Sequence, residues 1–438
     1  MFNRFTAKCL ALIGGAALTA SVALAQDNKA LLDALVKKGI LTDDEAKQIA
    51  ADVAQSENKT DVATSGGKFL QKVIISGRIQ SQFADIGTSI NGAPKVPATQ
   101  HFLMRRVYLG AKADLGDGFS GTFNYDFANG SLDAAFISWK QSDALAVDVG
   151  FRKVPFAYEE YTSSASLNAI ERSPATRYFV ETNNGRRLGA GSYREGVFVG
   201  GTQQGVFYNV AVTNPERDEF SSISINSSHA NASNPANNGG VQGSGDSTNN
   251  NFAYWGNLGY GGKFDGGTYK AGIEAGYLAD QGGTSNTALG TGHNLTVYGV
   301  LADVTYQDFN LQGEYLWGDD QQGSANRSTP TTFKDADPNG FWIQPAYKFG
   351  DLQAVVRYSY INSDGRGINV SDGTRSAPSG GTMDKMSEWY VGGNWYIRGN
   401  DLKLQLGYIH AESKDSVTGA SGPKATADGV RSQLQLNF

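Results

Sequence analysis

The chain closes with Arg431-Ser432-Gln433-Leu434-Gln435-Leu436-Asn437-Phe438. In an extended backbone, successive side chains point to opposite faces. Leu434, Leu436 and Phe438 then share one face, and Arg431, Gln433, Gln435 and Asn437 share the other. The period of two predicts a strand with one apolar and one polar side. The pattern recurs upstream. Leu352, Ala354, Val356, Tyr358 and Tyr360 alternate with Gln353, Val355, Arg357, Ser359 and Ile361. Leu402, Leu404, Leu406 and Tyr408 alternate with Lys403, Gln405 and Gly407.

Marking such runs along the chain gives about sixteen strands, a usual size for a transmembrane barrel. They are expected near 70–84, 101–114, 118–128, 131–140, 144–152, 188–201, 204–213, 251–264, 268–280, 293–307, 308–318, 340–349, 351–362, 385–398, 401–411 and 427–438. Short turns such as Gly116-Asp117-Gly118, Asp265-Gly266-Gly267 and Gly350-Asp351 alternate with long polar segments. The long segments are expected near 85–100, 153–187, 214–250, 281–292, 319–339, 363–384 and 412–426; Asn129-Gly130 stands as a tight turn where another would fall. Short periplasmic turns and long outer loops are what a membrane barrel requires, and neither a propeller nor a sandwich does. The fold class expected is therefore all-β, a sixteen-stranded antiparallel transmembrane β-barrel with a short N-terminal helical, coiled-coil-like extension.

Hydropathy averaged over the chain is −0.36. Such an average conceals a barrel, because lumen-facing polar residues cancel lipid-facing apolar ones. No run after residue 25 is long enough for a spanning helix. Entry into a membrane then requires a closed barrel, which alone among sheets satisfies every backbone group in lipid. Trp139, Phe151, Trp255, Trp317, Trp342, Trp389, Trp395 and Phe438 fall near strand ends, where aromatic girdles are expected.

Residues 1–25 read as a signal peptide: Arg4 and Lys8 precede an apolar stretch from Leu10 to Val22, and Ala23-Leu24-Ala25 offers a cleavage site. The sole cysteine, Cys9, lies within it, so the mature chain is expected to hold no disulfide or thiolate site. Loss of Arg4 and Lys8 leaves the mature chain two charges more negative than the −6 of the full sequence, a poor balance for nucleic-acid binding. Residues 26–60 carry helical spacing at Leu31, Leu32, Leu35 and Val36 and a capping box, Thr42-Asp43-Asp44-Glu45. They are expected to form a periplasmic helical extension, joined by a linker at 61–67 to a barrel over 68–438.

Segment 153–187 is richer in apolar and charged residues than the other loops. It is expected to fold into the lumen, where its charges and those of the wall set ion preference. On the wall, Arg106, Tyr108 and Lys112 share the lumen side if Val107, Leu109, Ala111 and Ala113 face lipid. Arg105 then falls on the lipid side unless a bulge turns it inward. Arg78, Arg357, Lys403 and Arg431 are lumen-facing by the same parity. Guanidinium groups suit anions, being always charged and able to fork onto oxyanions. Equally open is that these arginines pair with Glu159, Glu160, Glu171 and Asp133 and pin the segment without selecting solutes. No catalytic cluster is found. His101, His229, His293 and His410 are scattered, no hydrolase or phosphate-loop motif is present, and neither a cofactor nor a metal is expected.

Residues 68–438 resemble the phosphate-selective porin O and P family. The resemblance is carried by Arg105-Arg106-Val107-Tyr108-Leu109-Gly110, by Gly121-x-Phe123-x-Tyr125-Asp126-Phe127, and by Asp133-Ala134-Ala135-Phe136, Gly150-Phe151, Thr162-Ser163-Ser164 and Glu171-Arg172. It implies a homotrimeric porin of the bacterial outer membrane, with lipid around it and small anions or other small hydrophilic solutes passing through. It implies that Arg105, Arg106, Arg172, Ser164 and Asp133 line the narrow zone. Where members of that family place lysines in the loop, this chain has Glu160 and Ala165, a departure that bears on phosphate selectivity. A general non-selective porin, or a soluble β-rich periplasmic binding protein, are the alternatives to an anion-passing channel.

Overall fold

The structure is a computed structural model and describes residues 60–62, 70–181, 186–214, 252–278, 294–325, 333–415 and 424–438. The expected signal peptide and all of the helical extension but its last residue lie outside the described residues; Thr60, with Asp61 and Val62 of the expected linker, forms a short strand instead.

The strands follow in chain order as β1 (Thr60–Val62), β2 (Lys72–Ile90), β3 (Ala93–Gly116), β4 (Phe119–Asp126), β5 (Ser131–Ser142), β6 (Leu145–Lys153), β7 (Tyr193–Gln203), β8 (Val206–Thr213), β9 (Ala253–Phe264), β10 (Gly267–Leu278), β11 (Leu295–Tyr306), β12 (Phe309–Ala325), β13 (Phe333–Ala336), β14 (Asn339–Phe349), β15 (Leu352–Asn362), β16 (Ile368–Asn369), β17 (Thr382–Met383), β18 (Lys385–Asn400), β19 (Leu402–Lys414) and β20 (Lys424–Asn437). Sixteen of them close an antiparallel barrel, in which β2 pairs with β3 on one side and with β20 on the other. Of the remainder, β1 lies on the start of β2, β13 on the far end of β12, and β16 pairs with β17 in a loop. All sixteen expected strands are present. The expected long loop at 85–100 is not: β2 and β3 continue through it and turn at Asn91-Gly92, both at positive φ. The alternate, outer positions there are Asp85, Gly87 and Ser89, so the apolar outside that marks the membrane-level wall is lost while the ladder goes on.

The two faces are inverted relative to a water-soluble protein. Leu434, Leu436 and Phe438 of the closing stretch are 41–53 % exposed, whereas Arg431, Gln433 and Gln435 are at most 1 % exposed. Inside, an amide ladder crosses five adjacent strands. Gln80 donates to Gln435 (2.7 Å), Gln82 to Gln433 (2.8 Å), Gln433 to Gln405 (2.8 Å), Gln405 to Asn394 (2.9 Å) and Asn394 to Gln353 (2.8 Å). Every amide but the terminal Gln353, which only accepts, both donates and accepts, so the buried ones are not stranded against low-dielectric surroundings. Of the expected girdle residues, Trp139, Trp389, Trp395 and Phe438 face outward. Phe151, Trp255 and Trp342 are buried inside instead. The indole N–H groups explain two of these: Trp255 donates to Thr213 and Trp342 to Glu314, each at 2.9 Å, bonds no acyl chain could offer.

Candidate functional site: an arginine-lined cavity under a tethered loop

Between β6 and β7 the chain forms α1 (Tyr158–Tyr161) and α2 (Pro174–Val180). Ser173 caps α2 by accepting from Thr176 N at 3.1 Å, and Pro174 occupies the first helical position, where a missing N–H costs nothing. Wall side chains hold this segment from several strands. Lys403 on β19 donates to the carbonyls of Ala165 (2.9 Å) and Leu167 (3.1 Å). Arg357 on β15 donates to Glu159 (3.2 Å), to the carbonyl of Glu171 (2.8 Å) and to Glu388 (3.0 Å). Asn394 donates to the carbonyl of Asn168 at 2.8 Å.

A second segment, between β15 and β18, locks onto the first. Its short helix α3 (Val370–Gly373) is capped reciprocally by Asn369 and Asp372. Arg186 donates to Asp372 (2.6 Å), Arg177 to the carbonyl of Gly373 (2.6 Å), and Arg366 to the carbonyl of Arg186 (2.6 Å). Arg375 pairs with Glu171 (3.2 Å) and with Glu181. From its sequence this segment reads as an ordinary polar loop, because its fixing groups are backbone carbonyls and residues far away in the chain.

All five residues singled out from the sequence meet in one cavity of about 820 Å³, together with Arg78. Two of them sit on β-bulges. Gln80 pairs with Arg106 and Ser81 with Met104, so Arg105 is an extra residue, turned away from the lipid side. Asn124 pairs with Ala134 and Tyr125 with Leu132, which makes Asp133 the extra residue of β5. Arg105 donates to Glu171 at 2.6 Å. Arg172 pairs with Glu160 at 2.7 Å and donates to the carbonyls of Glu159 and Glu160, both at 3.1 Å. Asp133 accepts from Asn124 at 2.8 Å and from the Tyr193 hydroxyl. Ser164 accepts from Arg78 at 2.7 Å. Arg106 donates to Gln80 at 2.8 Å.

Pinning and availability divide the arginines. Besides Arg105 and Arg172, the lining bases Arg152, Lys153, Arg187 and Arg375 each hold a carboxylate. Arg78 and Arg106 do not: among the described residues neither has an ion pair. The lining carboxylates are Asp126, Asp133, Glu160 and Glu181, against eight basic side chains. On the loop, burial alone would raise the Glu171 carboxyl, but Arg105, Arg375, Arg106 and Arg431 outweigh it and hold the group well below the usual carboxylate range. Lys153, Tyr193 and Arg375 are site residues that the strand pattern did not single out.

A closed barrel with an apolar outside and a polar, charged interior is an outer-membrane channel. Residues 73–438 match the family described as phosphate-selective porin O and P, and the chain belongs to that family of porins. The sequence has no significant match among curated proteins. Among solved structures it is similar to the anion-selective porin from Comamonas acidovorans, at 11 % identity and a TM-score of 0.52, over 84 % of this chain and 99 % of that one. It is also similar to the outer membrane channel DcaP of Acinetobacter baumannii, at 12 % identity and a TM-score of 0.52, over 86 % of this chain and all of that one. At these identities the similarity concerns the fold.

Proposed function

We propose that this porin passes small hydrophilic solutes by diffusion with a preference for anions, phosphate among them, and that Arg78 and Arg106 supply the preference. One observation carries the reading: of the basic side chains around the cavity, these two keep their charge unspent on any carboxylate. Arg105 and Arg172 act differently, as pins between wall and loop, while Ser164 and Asp133 orient Arg78 and Tyr193. A fixed guanidinium beside a water-filled path lowers the energy of an anion and raises that of a cation. No step is catalysed. The anion-selective character of the Comamonas porin, a chain with the same fold, agrees with the reading.

Reversal potentials in planar bilayers under a salt gradient test it. The wild type is expected to favour anions, and Arg78→Gln with Arg106→Gln to bring the potential close to zero. Cation preference in the wild type, or no change in the double variant, refutes it. We further propose that residues 1–25 are removed on export, that 26–60 form a periplasmic extension, that the segment from 153 to 187 narrows the lumen, and that three copies assemble. Sequencing of the mature N-terminus and native mass spectrometry in detergent test the first and last of these.

A further inference from the structure

Two glutamates from the wall reach the start of the loop together. Glu274 on β10 and Glu314 on β12 are 5 % and 4 % exposed, and β11 runs between their strands. Glu274 can cross β11 because Gly299 lies in its path: a Cβ at that position would stand 2.5 Å from Glu274 Oε1. The two carboxyl groups meet at the same point of the loop. They also take consecutive backbone N–H groups of the loop: Ala157 donates to Glu274 Oε1 at 3.0 Å and Tyr158 to Glu314 Oε1 at 2.5 Å. Glu314 Oε2 accepts from Trp342 at 2.9 Å. Ala157 is held there at φ 61, a left-handed backbone that a non-glycine residue adopts only under such restraint.

The chemistry of this arrangement fixes a proton count. Two buried carboxyl groups set on consecutive N–H groups cannot both ionise cheaply, so the pair keeps one proton between them. Glu314 accepts at both oxygens, from Trp342 and Tyr158, so Glu274 is the one placed to carry it. Among the described residues neither carboxyl group has an ion pair, and Lys270 acts on Glu274 only from a distance. From the loop, Tyr158 and Glu159 face the pair; Glu159 is matched by Arg357, and the Tyr158 hydroxyl donates to Asp303 of β11 at 2.6 Å. From β10, the Lys270 ammonium lies over the rings of Tyr158 (5.0 Å) and Phe207 (4.5 Å). From β14 the contact is the neutral indole of Trp342.

We propose that Glu274 and Glu314 are positioning residues for the permeation path, a latch that holds the loop entrance at Ala157–Tyr158 while the pair keeps its shared proton and lets go when that proton leaves. Loss of the proton to water puts two like charges in contact inside the wall, an arrangement that buried carboxyl pairs avoid. Separation of the two withdraws both acceptors from the loop. The inference rests on the reading of the tethered segment as a wall of the passage. It does not depend on which ions pass.

Single-channel current recorded from neutral to about pH 10 tests the latch, since the two groups titrate as a unit and the shared proton is lost to base. The wild type is expected to show a reversible alkaline transition into fluctuating current levels. Glu274→Gln keeps an oxygen for Ala157 N and an N–H for Glu314, so it is expected to lose the transition and stay in the neutral-pH state throughout. Gly299→Ala obstructs the crossing and is expected to fluctuate already at neutral pH. A wild-type current without an alkaline transition overturns the proposal, as does a Glu274→Gln channel that keeps it. A channel with the transition but no anion preference would leave the latch standing and refute the arginine reading alone.

Discussion

Arg105 Nε lies 2.6 Å from Glu171 Oε1, joining a bulged residue of the wall to the turn before α2. Glu171 also receives Arg375 Nε at 3.2 Å and has Arg431 Nη1 at 3.6 Å. One loop carboxylate thus neutralises a group of guanidiniums from two strands of the wall and a second loop. Glu171→Gln should release them. The expected result is a stronger anion preference in bilayers, together with a lower thermal midpoint in detergent, since removing one partner of a buried ion pair costs about 3 kcal/mol or more. If the preference weakens, Glu171 is not the neutralising group.

Asp133 contributes a negative charge whose partners are neutral, Asn124 and Tyr193. Asp133→Asn therefore leaves no cation stranded. The expected effect is an increase in the anion-to-cation permeability ratio of roughly fivefold, from an interaction of about 1 kcal/mol in a hydrated path, with folding close to unchanged. Reversal potentials and detergent melting curves on the same preparation separate the two effects. A large loss of thermal stability would show instead that the charge is structural.

Glu181 sets the acid limit of the tether. Burial alone would raise its carboxyl, but Arg177, Arg375 and Arg187 outweigh that and hold it far below the ordinary range. A depressed native value means that the folded chain binds fewer protons than the unfolded chain. Its contribution is then present above the unfolded value, about 4.3 for Glu, and is lost as pH falls through the native one. Melting in detergent should be flat from neutral down to about pH 5 and decline only in stronger acid. A decline already centred near pH 6 would contradict the pairing of Glu181 with its arginines.

Leu406 is 60 % exposed on β19, while its neighbour Gln405 is buried in the amide ladder. The assignment of lipid and lumen faces predicts opposite responses. Leu406→Arg should cost about 2–4 kcal/mol of stability in the membrane, read as reduced insertion into lipid vesicles, without changing ion preference. Gln405→Leu should insert normally but break the ladder. Equal insertion of wild type and Leu406→Arg would mean that this face does not meet acyl chains.

The strand-level architecture was legible because lipid imposes a rule on every other residue, and Leu434, Leu436 and Phe438 obey it openly. Above the apolar band the rule lapses, which is why the paired extension of β2 and β3 through 85–100 reads as a loop. Trp255 and Trp342 were misplaced for a related reason: residue type says girdle, but a nearby acceptor decides the side. The inward position of Arg105 depended on a bulge, and a bulge is one unpaired residue that no periodicity displays. The division of labour among the arginines was not legible at all. Arg78 and Arg106 differ from Arg105 and Arg172 only in what lies opposite, and Glu171 is brought to Arg105 by the fold rather than by spacing.

The seam of the barrel joins its first and last strands: Gly77 N donates to the Phe438 carbonyl at 2.7 Å, Phe438 N returns a bond to the Gly77 carbonyl at 3.1 Å, and the ring of Phe438 occupies the space a side chain at Gly77 would need. The opening stave of the cask therefore keeps one margin bare until β20 docks on it. A bare margin is an adhesive for other chains, and closing so distant a contact is slow. The seam is thus the place where folding of this barrel is most exposed to a rival partner, and shielding that margin should raise its refolding yield.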